Sequence, residues 1–295
     1  MTQQPVPFMT SDPLTSDRDD AAVTLARAVA PTAIPTSAPR LSVVMPIWNG
    51  ATRLPSMIER MEEFLDSCPL SSELILVDDC SAAPTVRVLE RVVAEDKTVR
   101  LVRNDRNRGK GFSVRRGMLL ARGAYRVFID SDLAYLPTEI DKIIDALEAG
   151  ADVAIACREL PGSRYVTNSD LFGYTYARHM TSRAFNFVVR HALLPGILDS
   201  QAGLKGFTAE ATEFVFPLVS TEGFGFDVEC LYLAYARGCR ITQTSVTVQC
   251  DDHLTTMHLA RDSLRMLGDV ARVRWRAWRH SYADVEATEG LTCVR

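Results

Sequence analysis

The chain has 295 residues, long enough for one large α/β domain or two small ones around a sizeable apolar core. Its 33 Lys and Arg against 37 Asp and Glu give a formal charge of −4, which excludes a globally basic nucleic-acid binder. No stretch approaches the ~20 consecutive apolar residues of a membrane span, and the seven scattered cysteines include no Cys-x-x-Cys, the pattern of reduced thiols in a cytosolic protein.

Residues 1–40 carry 6 of the 14 prolines among Ser, Thr and Ala, and read as a disordered lead-in. They lack a basic segment followed by a continuous apolar run, so no secretory signal is expected, and the folded domain should begin near Leu41. From there short β-branched runs alternate with helical periodicity, the pattern of a parallel sheet wrapped by helices. Strands are expected at Leu41–Pro46, Glu73–Val77, Val99–Arg103, Tyr125–Ile129 and Asp152–Cys157. Helices are expected between them at Leu54–Leu65, Thr85–Ala94, Gly111–Arg122 and Pro137–Ala149. The second half is less regular. It reads as helices at Tyr174–His191, Glu210–Phe216 and Phe226–Ala236, a turn at Leu194–Gly196, one edge strand at Ile241–Gln249 and a long helix or helix pair at Thr255–Arg279.

Polar residues gather where strands end. The first strand closes on Pro46-Ile47-Trp48-Asn49, the second on Asp78-Asp79-Cys80-Ser81, and the fourth on Asp130-Ser131-Asp132. Carboxylates are costly to desolvate unless paired or metal-bound. Asp130 and Asp132 put hard oxygen ligands on one side of a turn, an arrangement suited to Mg²⁺ or Mn²⁺ that also holds phosphate oxygens. Taken alone, the same three residues also read as a turn with Asx caps.

In combination the motifs resemble the nucleotide-sugar half of the family 2 glycosyltransferases, which have the GT-A fold. The shared features are Pro-x-Trp-Asn, Val-Asp-Asp-x-Ser, Asn107-Arg-Gly-Lys-Gly111 before a helix, and Asp-x-Asp some 50 residues after Asp-Asp. Asp199-Ser-Gln-Ala-Gly-Leu-Lys205 and Phe226-Asp-Val-Glu229 further resemble motifs of the dolichyl-phosphate and polyprenyl-phosphate β-glucosyltransferase branch. The resemblance implies an α/β, Rossmann-like domain over residues 41–280, with a mainly parallel central sheet flanked by helices. Residues 41–157 form its nucleotide-sugar half and 158–280 its acceptor half, and 281–295 a C-terminal tail.

The resemblance also implies roles. Pro46, Trp48, Asn49, Asp78, Asp79, Lys110, Asp130 and Ser131 would meet a UDP-sugar. Arg158, Arg178, Ser182, Lys205 and Glu229 would meet the acceptor, a polyprenyl phosphate or a soluble small molecule such as a nucleoside or nucleobase. Asp130, Asp132 and His253 would hold the metal, and Asp227, Asp132 and Lys205 would serve catalysis, with Asp227 as base where the acceptor needs one. Salt bridges to Asp199 or Asp227 are the competing use of the basic residues. Gly50 departs from the glutamate usual after the asparagine of the first motif, so one donor contact is missing. A non-catalytic sugar-nucleotide binder is the remaining reading, and retention of Asp130, Asp132 and Lys205 argues against it. Finally, residues 261–279 carry six arginines against two aspartates, with Trp275 and Trp278 interleaved. Two readings stand for that segment: a helix lying on an anionic bilayer surface, or a helix packing its tryptophans on the domain.

Overall fold

The structure, a computed structural model, describes residues 38–96, 98–132, 134–167, 183–250 and 259–279. β1 (Leu41–Ile47), β2 (Ser72–Asp78), β3 (Val99–Arg103), β4 (Tyr125–Ile129) and β5 (Val153–Cys157) alternate with α1 (Leu54–Ser67), α2 (Ala83–Glu95), α3 (Lys110–Leu120) and α4 (Glu139–Glu148). All seven residues of β1 are buried because helices cover both faces of the sheet; six are apolar, and the exception, Ser42, donates to the buried Glu73 carboxylate at 2.7 Å. Beyond β5 come β6 (Arg164–Thr167), a helical stretch at 183–192, β7 (Leu204–Thr208), α5 (Ala209–Leu218) and α6 (Phe226–Arg237). β8 (Ile241–Ser245), β9 (Thr247–Cys250) and α7 (Leu259–Trp278) complete the described chain.

Seven strands form the central sheet in the order β3-β2-β1-β4-β7-β5-β8. Only β7 runs antiparallel to its neighbours, β4 and β5. One face of the sheet packs Val44, Val77 and Phe128 against α3, α5 and α6; the other packs Val43, Met45 and Val127 against α1 and α4. The chain leaves β1 toward β2 and β3 on one side, whereas β4 lies on the other. The β1–β4 pairing stops at Val44↔Phe128, three residues before the end of β1. A crevice therefore opens at the carboxyl ends of β1 and β4, the position at which open α/β sheets bind ligands.

Two departures from the sequence expectations bear on the site. β7 was not anticipated, and the expected edge strand Ile241–Gln249 divides at Val246, with β8 on the central sheet and β9 paired to β6 in a separate two-stranded sheet. The expected lead-in at 1–40 falls, except for residues 38–40, outside the described residues, as does the whole of the expected tail at 281–295.

Candidate active site

The ends of β1 and β2 are stitched together by side chains. The Asn49 amide donates to Ser81 Oγ at 2.8 Å, and the Ala82 amide donates to Asn49 Oδ1 at 3.0 Å. Asn49 and Cys80 both take left-handed backbone conformations, at φ 60° and 58°, so the strand ends turn sharply and leave Trp48 half exposed at the rim. Asp78 is buried beneath them. Its Oδ1 accepts from the Ser81 amide at 3.0 Å, while Oδ2 is buried without a hydrogen bond, although Arg103 Nε lies 3.0 Å away off the required line. A buried carboxylate oxygen with no donor is costly and suits an incoming N–H.

Asp79 is used differently. Its two oxygens accept from Asn104 Nδ2, the Arg108 amide and the Gly109 amide, each at 2.8 Å, so it braces the loop that starts α3. Gly109 makes that loop possible. It sits at φ +98°, and a Cβ there would come within 2.6 Å of the Glu222 carbonyl oxygen. Arg108 forms an ion pair with Glu222 and lies over the Phe112 ring at 4.0 Å, which closes the 107–111 and 220–225 loops on each other.

The centre of the site is an alternating row of charges. Lys110 Nζ lies 2.8 Å from Asp130 Oδ1 and 3.7 Å from Asp227 Oδ2. Lys205 Nζ lies 2.5 Å from Asp227 Oδ1 and donates to the Ala202 carbonyl at 2.5 Å. The row runs from the interior outward: Lys205 and Asp227 are almost wholly buried, Lys110 is 14% exposed and Asp130 28%. Burial alone would lower the pKa of Lys110, but Asp130 and Asp227 outweigh it and hold the ammonium charged. Burial pushes the Asp130 carboxyl up, Lys110 opposes this, and Asp132 adds to it.

Asp130 is set against β7. Its amide donates to the Gly203 carbonyl at 2.9 Å, and a Cβ on Gly203 would fall 2.1 Å from Asp130 Oδ2. The glycine of the Asp199–Lys205 motif thus makes room for the carboxylate of the Asp-x-Asp turn. Ser131 is half-buried in that turn, and exposed Asp132 accepts from the Ala134 amide at 3.0 Å.

A divalent cation fits this donor set. Two lysines against Asp130, Asp132 and Asp227 leave the cluster one net negative charge, with two hard-oxygen carboxylates at its mouth. Among the described residues no set of three or more Asp, Glu, His or Cys forms a closed cage, so a metal held here would take its remaining ligands from phosphate oxygens and water. His253 lies outside the described residues.

The acceptor residues expected from the sequence separate into groups. Arg158 makes a fork with the fully buried Asp199, through Nε at 2.6 Å and Nη2 at 2.9 Å, beside the site. This pairing holds the Asp199 carboxyl at a pKa of about 2, although burial would raise it. Asn186 and the Gln201 amide also donate to Asp199. Lys205 points into the protein at 0% exposure, and buried Glu229 accepts from the Ser220 and Thr221 amides at 3.0 and 2.7 Å and from Arg276. Both are spent on internal partners, because β7 and the first turn of α6 place them below the crevice rather than in it. Arg178 and Ser182 lie outside the described residues. Asn104 and Glu222 lie outside the residues the sequence singles out, and Gly203 stands there only as part of a motif; Asn104 precedes the Asn-Arg-Gly-Lys-Gly run, the one local hint of its role.

Comparison with known proteins places these residues in context. Residues 42–216 match the model of glycosyl transferase family 2. Among curated relatives, the dolichyl-phosphate β-glucosyltransferase of Dictyostelium discoideum is 32% identical over 247 residues, covering 80% of this chain and 74% of the relative. That of Saccharomyces cerevisiae is 31% identical, covering 83% and 77%. The polyprenol monophosphomannose synthase of Mycolicibacterium smegmatis is 28% identical, covering 70% and 77%. Glucosyl-3-phosphoglycerate synthase from Mycobacterium tuberculosis, solved with Mn²⁺, UDP and phosphoglyceric acid, superimposes with a TM-score of 0.58 over 80% of this chain and 78% of that one, at 19% identity. That likeness shows the fold, the GT-A type expected from the motifs. A family match that spans the crevice from β1 to α5, with relatives above 30% identical over most of both chains, leaves one assignment: the chain belongs to glycosyl transferase family 2 and resembles its dolichyl-phosphate β-glucosyltransferase branch.

Proposed function

We propose that residues 41–280 act as one unit that transfers a hexose from a UDP-sugar to the phosphate of a polyprenyl phosphate, with inversion at the anomeric carbon, from the cytosolic face of a membrane. The observation that carries the reading is the charge row Lys205–Asp227–Lys110–Asp130, which joins the acceptor-side motifs to the donor-side turn at the open crevice. The names of the relatives support the lipid-phosphate acceptor.

In this reading the base and ribose lie across Pro46, Trp48 and Asn49, and Asp78 Oδ2, ion-paired with Arg103 but without a hydrogen bond, accepts an N–H from the base. Asp79 works one step back, shaping the loop that aims Lys110. The charged Lys110 faces the diphosphate and stabilises it as the bond to the anomeric carbon breaks. Asp130 and Asp132 would hold Mg²⁺ or Mn²⁺, which when bound would supply Lewis-acid neutralisation of the same diphosphate. The acceptor phosphate, gripped by Arg158, Arg178 and Ser182, presents an oxygen to the opposite face of the sugar, and one displacement inverts the configuration. A phosphate monoester is already ionised near neutral pH, so it attacks without a base. Asp227, walled in by two lysines, then orients Lys110 rather than taking a proton. Rate enhancement comes from alignment and charge neutralisation.

The test supplies UDP-sugars with short-chain polyprenyl phosphate, nucleosides or nucleobases, and follows UDP release and product mass. The reading requires product with polyprenyl phosphate. Product with a soluble acceptor alone would replace it with the small-molecule transferase, and binding of UDP-sugar without turnover would replace it with a non-catalytic binder.

A further inference from the structure

The long helix α7 buries Met266, Val270 and Val273 on the domain, and that face accounts for its attachment. A second apolar stripe remains outside. Leu267 is 40% exposed, Trp275 51% and Trp278 76%, so the tryptophans are turned to solvent and do not pack on the domain. At 100° per residue, Leu267, Arg274 and Trp278 share one flank of the helix and Trp275 lies beside them. The stripe is bordered by cations. Asp269 is neutralised by Arg272 at 2.6 Å, and Arg276 turns inward to Ser220 and Glu229. Arg265, Arg274 and Arg279 are exposed, and Arg279 lies over the Trp275 ring at 4.6 Å.

We propose that this outer face of α7 docks on an anionic lipid bilayer, with Trp275 and Trp278 at headgroup depth and Arg265, Arg274 and Arg279 on lipid phosphates. Tryptophan favours the membrane–water boundary, and guanidinium pairs with phosphate, so the two residue types call for the same surface. A second copy of the chain is a poorer occupant, since a two-fold contact would set one arginine-rich face against another. Among the described residues no helix, α7 included, is long and apolar enough to cross a membrane.

Its position gives the contact a use. Arg276 ties α7 to the 220–225 loop, and the Glu222 carbonyl in that loop accepts from the Phe112 amide at 3.2 Å, two residues from Lys110. Docking α7 therefore brings the mouth of the crevice to the lipid surface. Only this last step rests on the polyprenyl-phosphate reading; the bilayer contact itself does not.

The experiment sediments the full chain with vesicles of phosphatidylcholine containing phosphatidylglycerol, and with phosphatidylcholine alone. The wild type should bind the anionic vesicles at least 10-fold more tightly than the neutral ones. The double variant Trp275→Ala/Trp278→Ala should lose at least 10-fold in affinity, yet keep its turnover of a short, water-dispersed polyprenyl phosphate within twofold. Arg274→Glu/Arg279→Glu should weaken binding in the same way. Equal sedimentation of wild type and variants, or loss of a dimer in light scattering without vesicle binding, would overturn the proposal. Vesicle binding intact with no turnover on polyprenyl phosphate would sink the functional reading and leave the bilayer contact standing.

Discussion

Replacing Gly203 by alanine adds one methyl group at the point where β7 meets the Asp-x-Asp turn. The new Cβ would stand 2.1 Å from Asp130 Oδ2 and 2.5 Å from its Cγ. Ordinary carbon contacts lie at about 3.5 Å, so the carboxylate must move by roughly 1.4 Å. The backbone has little room to yield, because Gly203 accepts from the Asp130 amide and β7 is paired on both edges. Asp130 is 28% exposed and swings outward instead, which breaks its 2.8 Å contact with Lys110. Overpacking costs about 1–3 kcal/mol, and an outward escape puts this site near the low end. Displacing a group at a reaction centre by about 1 Å costs ~10²-fold in rate. Steady-state UDP release, run beside thermal unfolding, should show a folded Gly203→Ala protein with turnover reduced about 10²-fold. A folded variant within threefold of wild type would refute the coupling of β7 to Asp130.

Asp227→Asn leaves the buried Lys205 ammonium without its anion, so urea unfolding should show a loss of about 3–5 kcal/mol, and a loss under 1 kcal/mol would contradict the pairing. Asp199 has its pKa depressed to about 2 in the folded state, so its contribution is present above the unfolded carboxylate pKa and is lost as pH falls through about 2. Stability of the wild type should therefore fall by about 2 kcal/mol from this group as pH drops from 4 to 2, and Asp199→Asn should flatten that part of the acid limb. Chelation with EDTA should reduce UDP release to background, and excess Mg²⁺ or Mn²⁺ should restore it; full activity in EDTA would exclude a divalent ion from the site.

The strands that end at the crevice were legible because β1, β2 and β4 are mostly apolar runs with polar residues set abruptly at their ends. β7 was not legible for the opposite reason. Leu204-Lys-Gly-Phe-Thr208 is short and carries a lysine and a glycine, yet the lysine is fully buried because Asp227, distant in sequence, neutralises it. Such a pairing leaves no local pattern. The motifs do not show which way their residues face: Asp79 and Glu229 brace loops, and Lys205 lies under the site rather than in it. Gly203 was visible as part of a motif, while its purpose depends on the register of β4 against β7. The break at Val246 was hidden in the same way, since the alternation of 241–249 continues through it although the two halves belong to different sheets.

The claim that sugar transfer occurs at the turn after β4 is tested most directly by Asp132→Asn. This carboxylate is exposed at the mouth of the crevice, and its only hydrogen bond among the described residues is to its own turn, so the fold should tolerate the change. With a UDP-sugar and polyprenyl phosphate, the rate of UDP release should fall at least ~10²-fold, and its dependence on added Mg²⁺ or Mn²⁺ should weaken. Unchanged turnover with unchanged metal dependence would place the chemistry elsewhere in the protein.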